Sequence, residues 1–185
     1  MKLFWKKCNF FCIFQAIFLY LSCVGPPRRR SRRIFGLAAR LPPACPKWSE
    51  IIKHKLKENG GKAIVYTING LPCEIRAAAD GISFLSDKLP IKPPYRFDVF
   101  DQIVDLLLAN NGKARKGNGR NYKLGEPECD ETTVVGYIAK YYAKKEYGES
   151  VFDPVFVLAA VLDWADIANN ERGEIVLTAS YKAKL

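Results

Sequence analysis

AIVYTINGLPCEIRAAADGISFL, residues 63 to 85, holds the two dipeptides that decide the fold class of this chain, Asn69-Gly70 and Asp80-Gly81. They separate three runs rich in β-branched and aromatic residues: Ala63 to Ile68, Leu71 to Ala77 and Ile82 to Leu85. Both central residues of a type I′ turn need positive φ, which Asn, Asp and Gly tolerate best, so the stretch predicts a three-stranded antiparallel meander.

On the N-terminal side of the meander, Trp48, Ile51, Ile52 and Leu56 recur at helical spacing, with Ser49 as the expected cap and Asn59-Gly60-Gly61 as the stop. On its C-terminal side, Pro90, Pro93 and Pro94 break the chain into a linker. Helical periodicity returns at Phe97, Phe100, Ile103, Val104, Leu107 and Leu108 and ends at Asn110-Asn111-Gly112. A polar loop is expected from Gly112 to about Asp130, then a second helix over Thr132 to Ala143. A third helix follows from about Asp153 to Ile167, with Pro154 in its first turn. That third helix is almost wholly apolar but too short to cross a bilayer, the pattern of a buried core helix. Asn169 to Gly173 reads as a polar turn and Ile175 to Leu177 as a terminal strand.

The expected fold is therefore α+β: a helix plus a three-stranded antiparallel meander, followed by a three-helix unit with a terminal strand. Three regions are expected: a leader over residues 1–47, a helix-plus-meander subdomain with its Pro-rich linker over 48–94, and a helical subdomain over 95–185. Residues 50–63 and 101–114 superpose at an offset of 51, matching Ile52 with Ile103 and Leu56 with Leu107. Nothing downstream aligns, so the likeness is read as two similar amphipathic helices and not as a repeat.

Charge narrows the function classes. The chain has 29 Lys and Arg against 19 Asp and Glu, a formal net charge of +10. Ten basic residues from Lys2 to Lys47 precede Glu50 with no acid among them, so the other 19 basic residues balance the 19 acids. The overall basicity belongs to the leader and gives no ground for a DNA-binding domain. The leader joins a basic start to the apolar stretch Cys8 to Val24 and the arginine run Arg28 to Arg33. It reads as a signal-like segment, a marginal membrane anchor or an extension that does not fold. If it inserts, the arginines keep the rest of the chain on the cytoplasmic side.

Four of the six cysteines lie in the leader, leaving Cys73 and Cys129, and no Cys-x-x-Cys pair occurs. This argues against a zinc ribbon, a thioredoxin-like site or a disulfide scaffold and suits a reducing, cytoplasmic compartment. The single histidine, His54, sits among lysines on the polar side of the first helix, and no Glu-x-Lys occurs. Histidine-based nucleases, His-rich metal sites and carboxylate-based nuclease sites are thereby disfavoured. No catalytic residue, metal ligand or cofactor is assigned.

The densest chemical feature is GKARKGNGRNYK, residues 112–123. Lys113, Arg115, Lys116, Arg120 and Lys123, among glycines that free backbone amides, form a candidate phosphate-binding loop, with Tyr122 as a stacking platform. Lys140 and Lys144, on the polar side of the second helix, extend the basic surface. A P-loop is excluded, because Asn118-Gly119 stands where Lys-Ser/Thr must be. The competing reading is a solvated loop neutralised by Glu126, Glu128, Asp130 and Glu131.

The order of elements over residues 97 to 181, with IANNERGEIVLT (167–178) as the passage from third helix into wing, resembles a winged helix-turn-helix. The resemblance implies DNA binding. Two departures limit it: the third helix, which enters the major groove in that family, is too apolar to face DNA, and the connection after the second helix is long. Recognition-helix residues are therefore not carried over. The expected function is a small nucleic-acid-binding or adaptor protein that contacts phosphate through the basic loop, with DNA or RNA as partner. The alternative is a non-catalytic protein-interaction domain, held at the cytoplasmic membrane face if the leader inserts.

Overall fold

The computed structural model describes residues 47–182; the leader readings fall outside them. Helix α1 (Trp48–Glu58) buries Ser49, Ile52 and Leu56. Its start departs from expectation. Lys47 precedes it without a side-chain cap, and Ser49 lies inside the first turn, donating its N–H to Asp101 Oδ1 (3.0 Å) and its hydroxyl to Asp101 Oδ2 (2.7 Å). A carboxylate from a distant helix fills the capping role, satisfying an orphan donor at the positive end of the helix dipole.

Strands β1 (Lys62–Tyr66), β2 (Pro72–Ala77) and β3 (Phe84–Ser86) form an antiparallel sheet in that order. The meander is as expected, but the turns are not type I′. Asn69 and Asp80 keep negative φ; only Gly70 and Gly81 are left-handed, at φ 74° and 64°. Gly70 N–H donates to Thr67 O at 2.8 Å and Gly81 N–H to Ala78 O at 3.0 Å, so each turn begins two residues before its Asn or Asp and closes on the glycine. A turn ending in a left-handed glycine is the next commonest way to join two strands.

Helix α2 (Asp98–Ala109) buries Val99, Phe100, Ile103, Val104, Leu106 and Leu107. The chain then forms β4 (Lys113–Arg115), a short helix α3 (Val134–Tyr137) that continues as one π-helical turn (Ile138–Tyr142), and helix α4 (Val155–Trp164). Strands β5 (Ala168–Asn170) and β6 (Glu174–Leu177) and the short helix α5 (Ala179–Lys182) complete it. A second antiparallel sheet has the order β4-β6-β5. Its existence corrects two expectations: Lys113–Arg115 opens the supposed polar loop as a strand, and the supposed turn Asn169–Gly173 begins as one. Strands of three residues give no readable alternation. Ala114, the one apolar residue of β4, is buried opposite Ile175.

One continuous hydrophobic core joins α1, both sheets and the helices, with Ile52, Phe84, Phe100, Val135, Leu158 and Ile175 among its members. Helix α4 lies at its centre, packed against both β1 and β5. Among the described residues, no helix is long and apolar enough to cross a membrane.

Candidate functional site

The cations of the 113–123 segment are largely committed to the protein itself. Lys113 lies 3.9 Å from Glu174. Arg115 meets Glu128 at 3.3 Å and Asp130 at 3.9 Å and donates to the Pro127 carbonyl. Lys116 Nζ donates to Asn170 Oδ1 at 2.6 Å and to the Glu171 carbonyl. Partial burial lowers the Lys116 pKa, while Asp163 and Glu171 oppose that shift. Lys140 sits 4.3 Å above the Tyr147 ring and 3.7 Å from Glu146. Lys123, Tyr122 and Lys144 stand exposed, Lys123 through a main chain bound to the Glu126 carboxylate and Lys144 at φ 57°.

The glycines of this segment are explained by packing. A Cβ on Gly117 would meet Val135 Cγ1 at 2.6 Å and the Glu128 carbonyl at 2.8 Å, and one on Gly119 would meet Val151 at 2.7 Å and Val135 at 2.9 Å. They let the segment close on α3, where Asn118 N–H donates to the Glu128 carbonyl at 2.7 Å and Val135 N–H to Lys116 O at 3.0 Å. The backbone amides of Asn118 and Lys116 are therefore spent inside the fold, the latter on Gly173 O.

Two of the predicted cations nevertheless reach a common site. A groove of about 570 Å³ runs between the β1–β2 turn, the segment Lys116–Arg120, the N-terminus of α4 and the β5–β6 turn. Its lining includes Ile68, 47% exposed, and Leu71, 61% exposed. The same lining includes Lys116, Arg120, Arg172 and Phe156. The Arg120 guanidinium lies 5.9 Å from the Phe156 ring centroid, a distance that holds the cation over the aromatic face. Arg120 and Arg172 form no ion pair with any described residue. Asp153 is the one acid lining the groove, and its Oδ1 is already engaged by the Val155 N–H at 3.1 Å. Arg120, Asp153 and Phe156 also line a smaller cavity of about 340 Å³ that adds Lys88, Pro90 and Phe152.

Comparison of the chain with family models, curated proteins and solved structures finds no match. The site is therefore judged on its own geometry. It gathers Lys116 and Arg120 and leaves Lys113, Arg115, Tyr122, Lys123, Lys140 and Lys144 outside. Sequence reading missed Arg172, Ile68, Leu71 and Phe156. Arg172 stands in a polar turn 52 residues after Arg120, and no spacing rule links them. Ile68 and Leu71 read as ordinary strand residues, since only the fold shows that the turn lifts them into solvent.

A second cleft, about 790 Å³, lies between α1 and the turn after α4. Most of its charge is satisfied internally: Lys53 meets Glu50, and Lys55 meets Asp166 and the Trp164 carbonyl, which leaves Lys57 as the one lysine of the lining without an ion pair to a described residue. It offers a ligand less unpaired charge than the first groove.

Proposed function

We propose that this chain is a non-catalytic interaction module whose groove takes an extended, acidic peptide segment bearing apolar side chains. The observation that carries the reading is that Arg120 and Arg172, without ion pairs to described residues, line one groove together with exposed Ile68 and Leu71. Guanidinium groups fork onto carboxylates, and apolar side chains between them supply the burial that charge alone does not. The free thiols Cys73 and Cys129, both buried, fit a cytoplasmic setting.

Helix α4 favours a protein partner over DNA. In the winged-helix resemblance it takes the place of the recognition helix, with β5 and β6 as the wing. Seven of its ten residues are buried, and it is packed beneath β1, so it presents no polar face to a groove of DNA.

Fluorescence anisotropy on the full chain tests the reading, with a labelled dodecapeptide of alternating Glu and Leu, its Lys/Leu counterpart and an oligo-dT of similar length as probes. The Glu/Leu peptide is expected to bind best, more weakly as salt rises, and roughly tenfold more weakly to the Arg120→Ala/Arg172→Ala variant. Unchanged binding by that variant overturns the reading. Preference for oligo-dT with the same dependence on both arginines returns the groove to nucleic acid.

A further inference from the structure

We infer that two copies of this chain pair through the free edge of β1, joining their first sheets into one six-stranded sheet. The inference goes beyond the groove and rests on different residues.

Strand β1 is the edge of its sheet. The bonds that flank its ladder to β2 run from Ala77 N–H to Gly61 O and from Thr67 N–H to Leu71 O. Alternation along an antiparallel strand places Ala63 and Val65 in the same inward-bonding set. The N–H and C=O groups of Lys62, Ile64 and Tyr66 consequently point away from β2, and no described residue bonds to them. The side chains of the same three residues lie on the outer face of the sheet: Ile64 is 57% exposed and Tyr66 61% exposed. Proteins that keep such an edge monomeric protect it with charged side chains, a proline, a bulge or an inward-pointing charge. Strand β1 has only one charge, Lys62 at its start; it has no proline, its register with β2 is unbroken from Lys62 to Tyr66 and its inward side chains are Ala63 and Val65.

The edge is self-complementary, which selects a second copy as the occupant. Antiparallel pairing about a two-fold axis at Ile64 sets Ile64 against Ile64 and Lys62 against Tyr66 of the other copy. All three outward-bonding residues then exchange both hydrogen bonds with their partners. No like charges face each other, and the Lys62 ammonium can lie over the opposite Tyr66 ring. Moving the axis to Lys62 would oppose two lysines, and a one-residue slip would set Ile64 against a residue whose N–H and C=O are turned toward β2, losing the hydrogen bonds. The isologous arrangement uses each copy's edge once and closes, so a dimer is expected and not a fibre.

Sedimentation equilibrium of the full chain across a range of concentrations, combined with amide hydrogen exchange, tests this. Twice the monomer mass is expected at high concentration, with the amides of Lys62, Ile64 and Tyr66 exchanging at least about tenfold more slowly than in the dilute monomer. The amides of Ala63 and Val65, bonded to β2, should be protected at both concentrations. Ile64→Lys, an exposed position whose change leaves the core intact, opposes two cations across the axis and should yield a monomer with an unchanged circular dichroism spectrum. Ile82→Ser, a similarly exposed position between β2 and β3 and away from the β1 edge, should leave the dimer in place. A monomer at every concentration, a dimer that survives Ile64→Lys, or a dimer whose Ile64 and Tyr66 amides exchange freely overturns the inference.

Discussion

Ser49 donates both its main-chain N–H and its hydroxyl to the carboxylate of Asp101, fastening the first turn of α1 to α2 across 52 residues of sequence. Ser49 is only 4% exposed while Asp101 is half-buried, so the serine side of the contact is shielded from water and its bonds go to a charged acceptor. Ser49→Ala removes the hydroxyl and leaves Asp101 Oδ2 short of a donor. A loss of about 2 kcal/mol is expected, read as a lower urea midpoint with an unchanged m-value. A midpoint within error of wild type would mean that the contact contributes nothing.

Glycines in this chain should separate sharply by environment. An alanine Cβ at Gly136 would lie 2.0 Å from the Asp130 carbonyl oxygen, whereas at Gly148 it would meet nothing within 4 Å. Gly136→Ala should cost about 3 kcal/mol or more through overpacking against the backbone. Gly148, at φ 83°, should lose about 1 kcal/mol to left-handed strain alone. Thermal denaturation of the two variants side by side checks the order, and equal costs would show that the segment before α3 yields easily.

Stability should fall on the alkaline side. Burial raises the pKa of the Tyr95 and Tyr142 phenols above 10.0 and of the Cys73 and Cys129 thiols above 9.0. For each, the unfolded chain loses its proton first, so stability is intact below the unfolded pKa and declines as pH rises from about 9. Lys116 acts in the opposite sense. Its pKa is lowered from 10.5, so the folded chain releases that proton first and stability gains as pH climbs from the lowered value toward 10.5. The Tyr137 and Tyr141 phenols are raised as well, so six groups against one give a net decline. Urea midpoints at pH 8 and pH 10 should show it, and Tyr95→Phe should lessen it.

Cations that are paired and cations that are free should behave differently. Lys113→Ala and Arg115→Ala break only partly exposed pairs with Glu174, Glu128 and Asp130. Each should change stability by less than about 1 kcal/mol. If the groove is the binding site, both should leave Glu/Leu peptide binding within about twofold, while Arg120→Ala alone weakens it. Equal weakening by all three would point back to the 113–123 segment as a single basic surface.

Much of the fold was legible because local signals agreed with tertiary ones. The helical spacing of Ile52 and Leu56 and of Phe100, Ile103 and Leu107 became the buried faces of α1 and α2. The apolar run after Pro154 became the central helix. The second sheet was not legible, because Lys113–Arg115 and Ala168–Asn170 are strands only through pairing with β6. The candidate site was legible only in part. Lys116 and Arg120 stood out as charge, but charge in sequence does not reveal which carboxylates will neutralise it, and Arg115 lost its claim to Glu128 and Asp130.

The sequence by itself determined the α+β class, the three strands of the meander, the main helices and the confinement of excess charge to the leader. These follow from periodicity, turn chemistry and counting, which act over a few residues at a time. Only the tertiary structure decided that Asp101 caps α1, that Gly117 and Gly119 serve close packing, that Arg120 and Arg172 share a groove with Ile68 and Leu71, and that β1 keeps an open edge. Each of these depends on which distant groups the core brings within a few ångströms, a consequence of packing that no short window of residues contains.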